Sequence, residues 1–357
     1  MSYNRIYWAI QALGIAEHGS NADSRPDTTE SGEKTGLKTA NFVSGVQSVG
    51  ITTSFNLEQV FELGQLSLYE DVEEVPDVEV TIERVIDDHK LLYSRCAGDT
   101  SITGTTISGM QNNQVDLWFS LTDDDNNNAG DARPTSVVWM SGMYMSSASF
   151  TFPTDGNLTE SVTMVGNHKV WFDSPGYDIT GAPTGTSGGT GTVQRRQNVR
   201  IYTPAGATSI SNDIQGDTAT AITAKITSVS VSVDFGREEI NVLGQKLPYY
   251  RYVTYPVEVT TEVEVLARGT ENVNAKPETA NVSERAVKFY IEPRGASSGD
   301  TPDTNSTIAL VDVGAKNKLT SVTWGGGDTG GANATITYSY RNFNDLTVRS
   351  FKSTYYD

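Results

Sequence analysis

The sequence is poor in the residues that build disulfide frameworks and metal centres. A single cysteine, Cys96, occurs among 357 residues, which excludes an intrachain disulfide and any site made of several thiolates. The three histidines, His18, His89 and His168, stand far apart without metal-ligand spacing, so we predict isolated surface or loop histidines. The sequence therefore indicates no metal and no cofactor.

Long apolar runs are absent as well. No stretch approaches the ~18 apolar residues of a membrane-spanning helix. Residues 1–20 lack the basic start and the continuous apolar stretch of a secretory signal. We therefore expect no membrane segment and no secretory leader.

Basic residues are scarce relative to acidic ones. The chain has 26 Lys and Arg against 44 Asp and Glu, a formal net charge of −18. Wrapping nucleic acid needs clustered positive charge, whereas an acidic surface lets nucleic acid slide past, because like charges repel. We interpret the small basic patch of Arg195, Arg196 and Arg200 as inter-subunit or loop salt-bridge partners.

The composition favours strands over helices. Thr, Ser, Val, Asn and Gly dominate, in short β-branched runs between turn residues. Val229, Val231 and Val233 alternate with Ser and Asp, which is a clear period of two. Only residues 57–63 have a short helix-compatible spacing. We predict an all-β fold with one or two short helices.

The chain contains an internal repeat. Residues 48–76 and residues 228–256 match without a gap, and every matched pair is 180 residues apart. The matched residues, which we take as the core positions of the repeat, are Phe55, Leu63, Gly64, Gln65, Tyr69 and Pro76 in the first copy and Phe235, Leu243, Gly244, Gln245, Tyr249 and Pro256 in the second. Two copies of one unit predict a quasi-symmetric building block, because internal repeats are typical of stacked or ring-like geometry.

Two weaker echoes follow the repeat. The string VEVT at residues 78–81 recurs at residues 257–260, and residues 135–139 match residues 320–324 in part. We interpret both as continuations of the repeat. The first is one residue short, which suggests a bulge or an altered turn.

The repeat divides the chain into two tandem units. At 357 residues the chain exceeds the usual size of a single domain. The Gly/Thr/Pro-rich segment 174–196 has no hydrophobic period, and we interpret it as a linker or a long loop. We therefore predict a first domain at 1–173 and a second domain at 197–357, with a further polar loop at 17–40.

The strand predicted after each repeat has one apolar and one acidic side. Glu79 and Glu83 alternate with Val and Ile in the first copy, and Glu258 and Glu262 alternate with Val and Thr in the second. Such a strand can line water or a partner. We therefore take these four glutamates as candidates for a surface that faces water or a partner.

No catalytic constellation emerges from the remaining motifs. Residues 123–128 resemble half of a calcium loop, but no register supplies all the required ligands, so an acidic hairpin loop is the better interpretation and adventitious calcium binding stays open. Acidic pairs such as residues 73–74 are too numerous to indicate a glycosidase. Tyrosines at 249–255 and 355–356 can bind sugar or protein, although strand edges and subunit interfaces use them more often. We expect no enzymatic activity.

Parts of the sequence resemble virion structural proteins of tailed bacteriophages. The resemblance covers residues 47–66, continues through Tyr69 and residues 76–83, and includes residues 4–7 and 152–157. Within that group the chain is similar to major tail tube proteins. The similarity is strong over about the first half and extends to the second half through the repeat.

The resemblance implies tandem β-sandwich or half-barrel domains whose inner sheets join into rings that stack as a tube. With a duplicated domain it implies trimeric rings of pseudo-sixfold symmetry. Glu79, Glu83, Glu258 and Glu262 are then candidate lumen or inter-subunit positions, where negative charge keeps passing DNA from adhering.

The resemblance also implies a location and partners. The chain would be made in the host cytoplasm and reside in the virion tail. It would bind other copies of itself, with sheath, tape-measure, baseplate or terminator proteins as further partners. The alternative is another virion component, such as a receptor- or carbohydrate-binding decoration, fibre or baseplate protein. A β-sandwich hydrolase has no selective signal in the sequence.

Overall fold

Strands dominate the computed structural model, and helix is almost absent. The residues that the structure describes are 6–18, 39–97, 104–122, 134–173, 178–180, 192–203, 207–208, 210–214, 225–268, 273, 275, 282–292, 307–326 and 333–351. The predicted all-β fold with few short helices is therefore confirmed. Most of the predicted loop at 17–40 and of the segment 174–191 lies outside the described residues.

The described elements are 22 strands, one α-helix and four 3-10 turns. In chain order the strands are β1 (Gln11–Glu17), β2 (Thr39–Phe42), β3 (Val46–Ser54), β4 (Leu57–Phe61), β5 (Leu68–Glu73), β6 (Asp77–Val85), β7 (Thr105–Thr106), β8 (Val115–Leu121), β9 (Ser136–Pro153), β10 (Thr159–Gly166), β11 (Val170–Asp173), β12 (Asp178–Thr180), β13 (Val199–Tyr202), β14 (Ile226–Asp234), β15 (Glu238–Ile240), β16 (Tyr250–Tyr252), β17 (Glu258–Leu266), β18 (Lys288–Ile291), β19 (Ala309–Asp312), β20 (Lys318–Gly325), β21 (Thr335–Phe343) and β22 (Thr347–Ser350). The helix α1 is Leu92–Cys96, and the 3-10 turns are Trp8–Ile10, Ser108–Met110, Arg196–Asn198 and Ile210–Asn212.

Eight strands form one continuous antiparallel sheet, which we call the main sheet. Its order is β3-β6-β10-β9-β14-β17-β21-β20. The first four strands belong to the first repeat and the last four to the second. In both sets the first two strands lie side by side in chain order, and the last two lie in the reverse of their chain order. The two repeats therefore share one hydrogen-bonded ladder, joined where β9 pairs with β14.

The hydrogen-bond registers repeat as well as the strand order. Strand β3 skips Gln47 in its pairing with β6, and β14 skips Thr227 in its pairing with β17. Likewise β9 skips Ser146 opposite β10, and β20 skips Thr320 opposite β21. Matching bulges pin the register of both halves, so residues can be paired across the repeat by counting from each bulge.

This count corrects the two weaker sequence echoes. Val78 is the second residue of β6 and is equivalent to Val259 rather than Val257. A shift of two residues keeps the same face of a strand, so the alternating sequence could not exclude it. Residues 135–139 and 320–324 are not equivalent, because the former include the part of β9 that pairs with β8 and β11, whereas the latter pair with β21.

The helix-compatible segment at 57–63 is not a helix. Leu57–Phe61 is strand β4, which forms a hairpin with β5, and the α-helix lies at Leu92–Cys96 instead. The longest strand is β9, with 18 residues.

A second layer covers the apolar side of the main sheet. The first part of β9 leaves the main sheet and pairs with β8 and β11, extending into the order β12-β2-β1-β8-β9. A separate sheet, β13-β18-β19-β22-β7, covers the second half. Phe152 meets Phe289 across the layers with ring centres 5.8 Å apart. Below the β9–β14 junction, Tyr93 of α1 packs on Phe150 and Phe235 at 6.0 and 6.4 Å.

The described parts of the predicted linker at 174–196 are attached to the first half of the chain. Strand β12 pairs in parallel with β2. The Gln194 N–H donates to the Ile86 carbonyl (2.9 Å), and the Leu158 N–H donates to the Gln194 carbonyl (3.1 Å). Strand β7 of the first half in turn pairs with β22 of the second. The two halves are thus interleaved rather than separated by a free spacer.

A buried charged network fixes the turn between β6 and α1. The Arg84 side chain is fully buried and donates to the Asp87 carboxylate (2.8 Å) and the Lys90 carbonyl (2.9 Å). Burial acts to raise the pKa of Asp87, but Arg84 and His89 outweigh it and hold the pKa below its usual value. Asp87 is therefore charged at neutral pH.

Glu160 of β10 completes this network. Its carboxylate is fully buried, accepts the N–H groups of Leu92 and Tyr93 at 2.9 and 2.7 Å, and lies 3.8 Å from Arg84. Burial raises the pKa of Glu160, while Arg84 and the two N–H donors oppose that rise. Each charged group in this network therefore depends on the others for its hydrogen-bond or ion-pair partners.

Replacing Arg84 by methionine should destabilise the fold strongly. The change leaves the buried carboxylates of Asp87 and Glu160 without their guanidinium partner, and we expect the free energy of unfolding to fall by about 3 to 5 kcal/mol. Chemical denaturation measures this loss. Glu262→Gln, on an exposed strand position, serves as the control and should change stability by less than about 0.5 kcal/mol. Equal stability of the two variants would contradict the assigned role of Arg84.

Candidate functional site

The main sheet has a buried apolar side and an open side, which we call the polar face. On β14 the valines face the core, whereas the serines between them face outward. The acidic strand residues on the polar face are Asp77, Glu79, Glu83, Asp234, Glu258, Glu262 and Glu264. Its basic strand residues, among those described, are Lys318 and Arg341. The polar face is therefore a Ser/Thr-rich acidic surface.

The four glutamates predicted from the sequence lie on this face, and all four are exposed. They are Glu79 and Glu83 on β6 and Glu258 and Glu262 on β17. They are not equivalent pairs, because the bulge count matches Glu83 with Glu264. The matching is visible in the side chains of the neighbouring strands, since a serine hydroxyl donates to Glu83 (3.3 Å) and another to Glu264 (3.0 Å).

The sequence repeat itself forms two hairpins. Hairpin 1 is residues 57–73 and hairpin 2 is residues 238–252. Glu58 pairs with Val72 in the first, and Glu238 pairs with Tyr252 in the second. These pairs are separated by 180 residues on both strands, so the two hairpins have one register.

Glycine and glutamine recur because both hairpins use the same turn. Gly64 has φ +104° and Gly244 has φ +86°, a left-handed conformation that favours glycine. In each turn the glutamine N–H, of Gln65 or Gln245, donates to a backbone carbonyl three residues earlier at 3.3 or 3.4 Å. The glycine and glutamine of the repeat therefore recur because both hairpins have the same turn backbone.

Most of the matched repeat positions are surface positions, not core positions. Leu63 and Leu243 are fully exposed at the hairpin tips. Phe55, Tyr69 and Tyr249 are 73%, 61% and 70% exposed. The other exposed or half-buried members are Gly64, Gln65, Pro76, Gly244, Gln245 and Pro256. Of the whole set only Phe235 is buried in the core, because it packs under the β9–β14 junction.

Arg237 holds hairpin 2 against the first half of the chain. Its guanidinium donates hydrogen bonds to the carbonyl oxygens of Met110 (2.7 Å), Gln111 (2.9 Å) and Met145 (2.8 Å). It also lies 5.1 Å from the ring centre of Tyr144. Burial lowers the pKa of Arg237 to about 10. The side chain therefore stays positive at neutral pH, and its hydrogen bonds are charge-assisted.

Two residues of β16 complete this contact. The Tyr250 ring meets the Tyr144 ring edge-on at 5.8 Å, and its hydroxyl donates to the Gln111 carbonyl (2.8 Å). Arg251 is 8% exposed and lies 2.6 Å from the Asp77 carboxylate. Burial raises the pKa of Tyr144 and of Tyr250, which keeps both hydroxyls protonated. Hairpin 2 is thus clamped to β6 and β9.

Hairpin 1 has no comparable contact among the described residues. Every residue of β4 and β5 is exposed. Its base is tied by the Glu74 N–H, which donates to the Asn56 carbonyl (2.9 Å), and by the Asn56 amide, which donates to the Val75 carbonyl (3.2 Å). Its large exposed apolar residues are Leu57, Val60, Phe61, Leu63, Leu66, Leu68, Tyr69 and Val72. Exposed apolar patches of this extent mark interaction sites.

The main sheet ends in two strands with one partner each among the described residues, β3 and β20. On their core side β3 carries Val49 and Ile51, and β20 carries Val322 and Trp324. These apolar side chains are incompletely buried, and Trp324 is 50% exposed. Unpaired edges of this kind are prone to pair with another chain.

The β9–β14 junction is the paired counterpart of these edges. There Val231 lies opposite Phe150, and both are fully buried. Counted from the bulges, Ile51 of β3 is equivalent to Val231, and Trp324 of β20 is equivalent to Phe150. The two free edges therefore carry the two complementary sides of a junction that the chain already makes internally.

The histidines differ from the prediction of isolated surface or loop residues. His18 lies 2.8 Å from the buried Asp116 carboxylate, and His89 is itself buried 3.0 Å from Asp87. His168 packs against a tryptophan ring at 4.6 Å. Each partner comes from the fold rather than from local spacing, so the sequence could not reveal it.

The other sequence motifs add no site within the described part of the chain. Arg200 pairs with Glu292 at 2.6 Å and Arg196 lies 3.7 Å from Asp155, so two members of the basic patch form salt bridges as predicted. The motif at 123–128 and the tyrosines at 355–356 lie outside the described residues. Cys96 is buried.

Among the residues with defined placement, no three His, Cys, Asp or Glu side chains converge as metal ligands. No helix in the same residues has the length and apolar character needed to cross a membrane.

No protein-family model matches the sequence, and no curated protein matches it.

Sequence reasoning singled out Tyr250 within the tyrosines at 249–255 but missed the two arginines that clamp hairpin 2. Arg237, Tyr250 and Arg251 are the repeat counterparts of Leu57, Glu70 and Asp71. The available signal was the difference between the two copies, since positions that change character between repeats have changed neighbours.

Replacing Arg237 by methionine should loosen hairpin 2 selectively. The change removes the three charge-assisted hydrogen bonds to carbonyls of the first half and a fourth to the Arg251 carbonyl, and we expect a stability loss of about 2 to 4 kcal/mol. Amide hydrogen exchange should accelerate in residues 238–252 and stay unchanged in residues 57–73. Lys246→Met, in the exposed turn, is the matched control and should leave exchange unaltered. Unchanged protection of hairpin 2 in the Arg237 variant would refute the anchoring.

Proposed function

We propose that this chain is the structural subunit of a bacteriophage tail tube, and that copies assemble by pairing β20 of one copy with β3 of the next. The observation that carries the proposal is the match between the free edges and the internal junction. Strand β20 repeats β9, and β3 repeats β14, in strand order and in bulge position. A contact made once within the chain can be made again between copies.

The internal register defines the expected contact. Ser149 lies opposite Ser232 at the β9–β14 junction. Their equivalents are Thr323 on β20 and Thr52 on β3, which would lie opposite each other in the assembly. On the core side, Trp324 would then leave solvent. Burial of such half-exposed edge residues supplies the driving force for association.

Joining unlike edges head to tail closes into a ring or continues as a filament, depending on the rotation between copies. The resemblance to tail tube proteins with a duplicated domain supports closure with three copies, giving six pseudo-equivalent units around the ring. Closure removes both unpaired edges. The tube would then grow by stacking of rings in the virion tail, with sheath, tape-measure, baseplate or terminator proteins as further partners.

The polar face supports a lumen role in such a ring. The second layer occupies the other side of the main sheet, so the polar face is free to line the interior. Glu79, Glu83, Glu258 and Glu262 would place negative charge there, and the surrounding Ser and Thr would keep it hydrated. Repulsion from phosphates then keeps DNA moving rather than bound.

A second candidate function is a receptor- or carbohydrate-binding virion component. The observation that favours it is the exposure of aromatic side chains, including Tyr69, Tyr249 and Trp171, the last of which is 51% exposed. Exposed rings can stack on sugars. A glycan-binding screen tests this candidate, and saturable binding by an unassembled protein would favour it.

Electron microscopy of the purified protein tests the proposed tube directly. End-on class averages should show hollow rings or tubes with three chains per layer and six similar lobes. Compact monomers or dimers that persist at high concentration would overturn the proposal. Rings of six chains would retain self-assembly but contradict the threefold closure.

Engineered disulfides test the edge pairing itself. Thr52→Cys combined with Thr323→Cys should cross-link between copies under oxidising conditions, giving covalent oligomers on a non-reducing gel. Ser149→Cys with Ser232→Cys is the positive control, because the same geometry occurs within one chain and should give a cross-linked monomer.

A register control accompanies these pairs. Thr52→Cys with Ser321→Cys places the second thiol two residues out of register, too far for a disulfide. Equal cross-linking of the in-register and out-of-register pairs would indicate random collision and contradict the assigned contact.

A further inference from the structure

The surface that receives hairpin 2 has a changed counterpart in the second half. Tyr144 lies opposite Val165, two residues before the bulge of β9. Its equivalent is Lys318, which lies opposite Arg341, two residues before the bulge of β20. Tyr144 is 6% exposed because hairpin 2 covers it, whereas Lys318 is exposed. The second half therefore presents the equivalent surface, around Lys318, in an exposed state. We call this surface the seat.

The hairpin that would fit this seat has changed in the complementary sense. Tyr250, which packs on Tyr144 within the chain, is replaced by Glu70 in hairpin 1, and Arg251 is replaced by Asp71. An aromatic pair within the chain thus corresponds to an acid facing a base between copies. The hairpin residue and the sheet residue both differ between the two contacts, yet each pair can attract.

We propose that hairpin 1 docks on the second half of the neighbouring copy, with the Glu70 carboxylate against the Lys318 ammonium group. The proposal rests on the edge pairing of the proposed function, because that pairing brings the two surfaces together. It commits to a second copy of this chain as the occupant of the seat.

The basic side of this pair consists of two neighbouring residues. Lys318 and Arg341 are cross-strand neighbours and are the basic strand residues of an otherwise acidic face. Arg341 is half-exposed and forms a salt bridge with Glu258 at 3.7 Å. Asp71 of hairpin 1 is exposed, but it is the counterpart of Arg251, whose partner Asp77 is equivalent to Glu258 by the count from the bulges. Glu70 is therefore the residue of this arm whose charge is opposite to that of the two basic strand residues described on the polar face.

The apolar side of hairpin 1 gains cover in the same arrangement. Leu57 occupies the position of Arg237, which lies over Tyr144 within the chain. In the docked state Leu57 would lie along the aliphatic stem of Lys318, and its exposure of 55% would fall. Apolar contact next to an ion pair excludes water and strengthens the pair.

A charge swap in the Thr52→Cys/Thr323→Cys background tests the docking. Glu70→Lys and Lys318→Glu should each lower the association constant about tenfold, because reversal turns attraction into repulsion. The double variant, Glu70→Lys with Lys318→Glu, should recover most of the loss. Sedimentation under reducing conditions measures association, and the disulfide yield reports whether the edges still pair.

Glu62→Lys is the matched control. It makes the same charge change on the same hairpin at an exposed position whose counterpart, Val242, makes no clamp contact, and should leave association within about twofold. Edge cross-linking with no recovery in the double variant would overturn the docking but keep the edge pairing. Absence of cross-linking in the unswapped background would overturn both.

Discussion

The antiparallel pairing of β9 with β14 is the contact on which the molecule depends. Strand β9 is long enough to serve both layers, since its first part pairs with β8 and β11 and its second part occupies the centre of the main sheet. Pairing with β14 merges two repeats into one ladder. Below the junction Tyr93 packs on Phe150, and above it Arg237 binds backbone carbonyls of the first half. The two halves are therefore hydrogen-bonded to each other through one sheet.

That junction also explains how the two repeats diverged. Both contain the same strand order, the same bulges and the same hairpin register, but their neighbours differ. The internal contact forms within one chain, so its partners are always close together. It uses a buried guanidinium, buried rings and backbone carbonyls. In the proposed assembly the outer contact forms between separate copies. Its equivalent residues, Glu70 and Lys318, are charged and exposed, which suits orientation and rapid encounter.

Several features of the site depend on contacts that no local pattern encodes. The spacing of Leu57, Val60 and Phe61 fits a helix, yet these residues form an exposed hairpin strand, because no neighbouring element in the described part of the chain offers an apolar surface for a helical face. Most of the matched repeat positions are exposed, and Gly64 with its flanking residues recurs because both hairpins need the same turn geometry. A repeated residue reports a repeated constraint, whether that constraint is packing or a turn.

The sequence by itself determined the all-β class, the existence of two copies of one unit and the alternation that places Glu79, Glu83, Glu258 and Glu262 on one side of their strands. These follow from residue type and from a period of two, which are local properties. Only the tertiary structure decided that the copies share one sheet, that β3 and β20 remain as its edges, and that Tyr144 and Lys318 occupy equivalent seats. Strand order and register are set by pairing between distant segments, and a shift of two residues leaves the local pattern unchanged.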